Sequence, residues 1–89
     1  MTWRVLFTRQ AQKDAHKLAS AAPGLKSKAE RLIRLLNVDP YQQPPPYEAL
    51  VGDLKGACSR RINIQHRLVY QILDEERIVK VLRLWSHHA

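Results

Sequence analysis

Hydrophobic and polar positions divide the chain into a strand, two helices, a stiff connector and a run of strands. Residues 2–7 (Thr-Trp-Arg-Val-Leu-Phe) are rich in β-branched and aromatic side chains and predict a first strand. Thr8 follows as an N-cap. Ala11, Ala15, Leu18, Ala19 and Ala22 then recur at helical spacing, with Arg9, Lys13 and Lys17 off that stripe. Pro23-Gly24 breaks the run. A second stripe, Leu25, Ala29, Leu32, Ile33 and Leu36, begins just after it, with Lys26, Lys28, Arg31 and Arg34 on its wet side. The helix ends at Asn37-Val38-Asp39-Pro40, because the residue before a proline avoids the helical region. Two helices joined by so tight a turn form an antiparallel hairpin with a basic outer surface.

Residues 40–46 (Pro-Tyr-Gln-Gln-Pro-Pro-Pro) predict an irregular, stiff connector, because three consecutive prolines donate nothing to a ladder and favour extended polyproline backbone. The remainder reads as strands: 48–54, a Lys55-Gly56 turn, 57–64, 67–73, a polar Asp74-Glu75-Glu76 turn, and 77–85. Cys58, Arg60, Ile62 and Ile64 alternate onto one face. The last strand is partly apolar on both faces, which predicts a central, covered position. The order β-α-α-β-β-β-β predicts an α+β fold: a curved antiparallel sheet packed on one face by the two N-terminal helices. Residues 1–89 make a single domain without internal repeats.

Eighty-nine residues give a thin core and leave room for a partner or a second copy in a homodimer. Hydrophobic residues at 45% exclude a disordered chain. The single Cys58 excludes a disulfide framework and fits a reducing cytoplasm. No apolar run approaches the ~18–20 residues of a membrane span, so neither a membrane span nor a signal peptide is expected. Charge changes the picture most. Fifteen Lys and Arg against eight Asp and Glu leave +7, and nine of the fifteen are Arg, whose fork fits phosphates. Such a chain attracts nucleic acid, an acidic membrane surface or an acidic protein.

The residues able to do chemistry are Glu48, Arg60 and Arg61, His66 and Arg67, Arg83, and His87 with His88. No metal site or cofactor is expected: zinc needs several Cys or His at suitable spacing, magnesium prefers carboxylates, and Glu48 has only Asp53 nearby. A nucleophilic Cys58 is disfavoured by its apolar strand face. A metal-free route fits better. RNA carries its own nucleophile, the 2′-hydroxyl. Cleavage then needs a base, an acid for the departing 5′-oxygen, and cations on the phosphorane-like transition state. A carboxylate, an imidazole and several arginines supply that kit. A non-catalytic RNA- or ribosome-binding module is the alternative. A DNA-binding repressor component is weaker, for want of a helix-turn-helix pattern.

The order of these parts resembles a known family. Tyr47-Glu48-Ala49-Leu50, Leu54-Lys55-Gly56, Ser59-Arg60-Arg61-Ile62, His66-Arg67-Leu68-Val69-Tyr70, Arg83 and Ser86-His87-His88 are similar to the YoeB (Txe) toxins of type II toxin–antitoxin modules, related to the RelE mRNA interferases. The resemblance spans the chain and is strongest over residues 45–88. It implies a microbial-RNase-like fold and a metal-independent endoribonuclease that cuts mRNA in the ribosomal A site. It further implies Glu48 as general base, His87 as general acid and Arg67 as the arginine steadying the scissile phosphate. Arg60, Arg61, Arg83 and His88 would contact substrate, Arg61 being the more structural of its pair because it alternates away from Arg60. The expected partners are mRNA, the ribosome and a YefM (Phd)-type antitoxin, often acidic in its binding tail. Three departures stand out. Ala57 and Cys58 replace two aromatics, His88 replaces a tyrosine, and Val51 stands where a basic residue is common.

Overall fold

The computed structural model describes residues 2–50, 52 and 55–86; of Trp85 and Ser86 it describes the backbone. The order of elements is β1 (Arg4–Phe7), α1 (Arg9–Ala21), α2 (Pro23–Val38), β2 (Glu48–Ala49), β3 (Ala57–Arg61), β4 (Arg67–Leu73) and β5 (Ile78–Ser86). Its Cα radius of gyration is 12.1 Å, as a packed chain of this length requires.

The helices begin and end where the side chains dictate. The Thr8 hydroxyl oxygen accepts from the Ala11 amide at 3.0 Å, capping α1. Its proton goes to the Leu82 carbonyl at 3.2 Å, which ties the helix start to β5. Pro23 opens α2, where a missing amide is harmless. Ala11 and Leu18 of α1 and Ala29, Leu32 and Leu36 of α2 are buried on the predicted stripes. Asp14 is buried among them, a position the apolar spacing gives no reason to expect.

The sheet order is β1-β5-β4-β3-β2. β2 through β5 form the expected antiparallel meander. β1 lies parallel to β5, Val5 beside Val79 and Phe7 beside Val81, so the sheet is mixed. Strand direction alternates from β1 to β5, so the last strand runs with the first when it lands beside it. β5 is interior, as its two-sided apolar character requires. The core face carries Val79 and Val81 with Leu68, Tyr70 and Ile72, all buried. Each fully buried aliphatic side chain contributes about 1.5–3 kcal/mol.

Strand ends differ from the sequence expectation for local reasons. β3 stops at Arg61 because the Asn63 side chain accepts from the amides of Gln65 and His66, an Asx turn that ends the ladder. Ile64 is therefore not on the strand face but 88% exposed. Gly56 opens β3 at φ +82°, and a Cβ there would meet the Ile72 carbonyl at 2.8 Å. The connector between α2 and β2 has cis bonds at Gln43–Pro44 and Pro44–Pro45 in place of the extended polyproline run expected.

Candidate active site

Register decides which residues meet. Glu48 pairs with Ser59, Ser59 with Val69, and Arg61 with Arg67. These side chains point away from the core face, because residues directly opposite across a ladder share a side. Pro46, Tyr47, Glu48, Ser59, Arg61 and Arg67 line an open pocket of about 410 Å³.

At its centre Arg67 Nη1 donates to Glu48 Oε1 at 2.7 Å and to Ser59 Oγ at 2.8 Å. The Glu48 side chain is 68% exposed, so this ion pair adds little stability, about 0–1 kcal/mol. Arg61 stands opposite Arg67 in register, and like charges so placed repel. One carboxylate against two guanidiniums in the same lining leaves an excess positive charge in a solvent-open pocket. That arrangement attracts an anion and keeps a base beside it.

Not every predicted residue comes to this pocket. Arg60 was expected at the substrate and is instead on the core face, 1% exposed. Its Nε donates to the Tyr70 hydroxyl at 2.9 Å, Nη2 to the carbonyls of Pro40 and Gln42 at 2.9 Å each, and Nη1 to Pro45 O. The Tyr47 ring lies 5.0 Å from its guanidinium. The placement expected of the arginine pair is thus exchanged: Arg61 lines the pocket and Arg60 is buried on the core face. The alternation that groups Arg60 with Cys58 and Ile62 already carries this signal. Arg83, also expected at the substrate, donates from Nε to buried Asp14 at 2.7 Å. That hydrogen bond, above all, raises the Arg83 pKa. His66 is buried, and its carbonyl accepts from the Ile62 and Asn63 amides in the turn. His87 and His88 lie outside the described residues.

Burial raises the thiol pKa of Cys58, with the charge of Arg60 opposing it, and a raised pKa disfavours the nucleophilic thiolate. Among the described residues no three His, Cys, Asp or Glu side chains gather as a ligand set. Ser59 and Tyr47 are site residues that the sequence reading did not single out. Their signal is register, since Ser59 alternates with Arg60 and Tyr47 adjoins Glu48.

Comparison with known proteins places this geometry. Residues 5–89 match the family described as ParE toxin of type II toxin-antitoxin system, parDE. Toxin YoeB of Streptomyces coelicolor is 34% identical over 76 residues, covering 85% of this chain and 90% of that protein. The solved YoeB/ParE toxin from Agrobacterium tumefaciens superposes with a TM-score of 0.85 at 26% identity, covering 96% of this chain and 99% of that one. The YoeB–YefM complex from Staphylococcus aureus contains a chain that matches with a TM-score of 0.79 at 26% identity, covering 97% and 98%. With the matching fold, these make the chain a member of the ParE/YoeB family of type II toxin–antitoxin toxins.

Proposed function

We propose that this toxin is a metal-independent endoribonuclease that cleaves mRNA, in the ribosomal A site, and so stops translation. The observation that carries the proposal is the Glu48 carboxylate held 2.7 Å from Arg67 Nη1, beside Arg61 and open to solvent. Membership of the YoeB-type toxins supports it.

The chemistry follows from those groups. A backbone phosphate entering the pocket competes for the Arg67 guanidinium and releases Glu48 from its ion pair. Glu48 then takes the 2′-hydroxyl proton as the 2′-oxygen attacks phosphorus. The new bond is P–O2′ and the broken bond is P–O5′. His87 gives its proton to the departing 5′-oxygen. Ser86, the residue before it, is the register partner of Arg67. Arg67 and Arg61 stabilise the charge that gathers on the non-bridging oxygens. The products are a 2′,3′-cyclic phosphate and a 5′-hydroxyl. His88 supports binding of the substrate. The partner that silences the toxin is a YefM-type antitoxin, like that in the Staphylococcus aureus complex, and an acidic tail on it suits the +7 charge.

The test is single-turnover cleavage of ribosome-bound mRNA, with end-group analysis, in the presence and absence of EDTA. Cyclic phosphate ends and an undiminished chemical step in chelator are expected. Binding to ribosomes without cleavage by the wild-type protein would support the non-catalytic module instead.

A further inference from the structure

We propose that Arg60, although buried on the face opposite the pocket, is a positioning residue for the Glu48 carboxylate. This rests on the reading of Glu48 as the base. β2 is two residues long and lies at the sheet edge, paired to β3 at Glu48–Ser59 and Ala49–Cys58, with the Leu50 amide donating to the Ala57 carbonyl just beyond. So short a pairing does not by itself fix the chain that leads into Glu48. That chain is the connector 40–47, which contains four prolines and therefore few amides with which to build its own hydrogen bonds. Its carbonyls at Pro40, Gln42 and Pro45 instead converge on one guanidinium. The Tyr47 ring stacks on the same group, one residue before Glu48.

Residue type supports this assignment over simple packing. The neighbours on the same strand face, Cys58 and Ile62, are apolar, and a third apolar side chain would cover the core as well. Burying a cation there is costly unless its hydrogen bonds are made. Only the planar fork of arginine reaches three carbonyls and a phenol in different directions at once. Arg60 thus acts as the connector's hydrogen-bonding partner, and through Tyr47 it sets where Glu48 leaves the loop to meet Arg67.

The experiment measures single-turnover cleavage of ribosome-bound mRNA by the wild type, Arg60→Lys, Glu48→Gln and the double variant. Thermal melting confirms that each is folded. Arg60→Lys is expected to slow the maximal rate by about 10–10²-fold, the cost of misplacing a reacting group, with half-saturation within about two-fold of wild type. Once Glu48 is Gln, Arg60→Lys is expected to cost nothing more. Equal slowing in both backgrounds, or a loss confined to half-saturation, overturns the proposal. A Glu48→Gln protein that cleaves like wild type removes Glu48 as base, a distinct result that takes this inference with it. Should Arg60→Lys not fold, Tyr70→Phe carries the test, because it removes only the hydroxyl that accepts from Nε. A several-fold slowing that vanishes in the Glu48→Gln background supports the proposal, and an unchanged rate overturns it.

Discussion

The core face of the sheet is covered in two different ways. Over β1 and β5 the cover is the helical hairpin, which buries Leu18, Leu32 and Leu36 against Val79, Val81 and Leu84. Toward β3 the proline-rich connector is tied down, and Arg60 donates to three of its carbonyls. The first half depends on apolar area, which is non-directional and tolerant of detail. The second depends on hydrogen bonds, several of them from one buried group, which are directional and intolerant of its loss. The proposed chemistry falls to the second half. If Glu48 serves as the proposed base, a directional clamp beside it fixes where its carboxylate meets the phosphate.

The largest expected effects separate the two halves. Glu48→Gln should reduce cleavage by about 10²–10⁴-fold, the range for a general base. As an exposed substitution it should move stability by less than about 0.5 kcal/mol. Leu36→Ala, at a side chain with no exposed surface, should cost about 2–5 kcal/mol of stability. It should leave the cleavage rate of the folded fraction near wild type. Paired measurements of denaturation and single-turnover rate check both; a rate loss in folded Leu36→Ala equal to that of Glu48→Gln would erase the distinction.

The halves also differed in how far the sequence revealed them. Both helices, their stripes and the Thr8 cap follow from periodicity, because apolar spacing is a direct record of which face is buried. The parallel placement of β1 beside β5 was not legible, since strand patterns carry no label for their neighbour. The site was legible in part. Glu48, Arg61 and Arg67 are named by chemistry and by family resemblance, yet which of Arg60 and Arg61 faces the pocket was read the wrong way. Composition treats two adjacent arginines alike; the period of two does not, and it grouped Arg60 with Cys58 and Ile62. Asp14 was hidden for the opposite reason. A carboxylate on an apolar stripe makes sense only once Arg83 and the Leu84 amide arrive from nearly 70 residues away.

Within the pocket, Arg67→Lys should cost less than Glu48→Gln, about 10–10²-fold. A single ammonium keeps the charge but loses the fork that holds a phosphate in two places. Arg61→Ala should cost less again, because Arg61 makes neither contact that orients Arg67. The ranking Glu48, Arg67, Arg61 in single-turnover rate is the expected outcome; Arg61→Ala as the most damaging of the three would move the centre of the site.

Asp14→Ala tests a buried directional contact built into the apolar half. Asp14 Oδ2 accepts from Arg83 Nε at 2.7 Å and from the Leu84 amide at 3.0 Å, and Oδ1 accepts from Gln10 Nε2 at 3.1 Å. The Arg83 side chain is 44% exposed and can return to water, so the ion pair itself counts for little. The buried Leu84 amide cannot, and leaving it without a partner costs about 1–3 kcal/mol. Denaturant unfolding should show that loss, with Asp14→Asn costing less because it keeps an acceptor. Equal stability of Asp14→Ala and wild type would mean that the amide finds another partner.

The smallest expected effect lies at the connector's outer end. The Tyr41 hydroxyl donates to the Asp74 carboxylate, 2.8 and 2.7 Å from its two oxygens, and the Trp3 ring meets Tyr41 edge-on. Burial first, then the hydrogen bond and charge of Asp74, push the Tyr41 phenol up to about 12. The folded value therefore lies above the unfolded value of about 10, so the folded chain holds the proton more tightly. The stabilisation is fully present below about pH 10 and is lost as pH rises through about 12. Tyr41 is 42% exposed, so at neutral pH Tyr41→Phe should cost less than about 1 kcal/mol after solvent screening. The buried Tyr70 phenol is also raised to about 12, but it titrates alike in both proteins and cancels in their difference. The gap between wild type and Tyr41→Phe should therefore close between about pH 10 and about pH 12 in urea unfolding curves. A gap that persists undiminished would show that the ring's packing, rather than its proton, fastens the connector to the Asp74 turn.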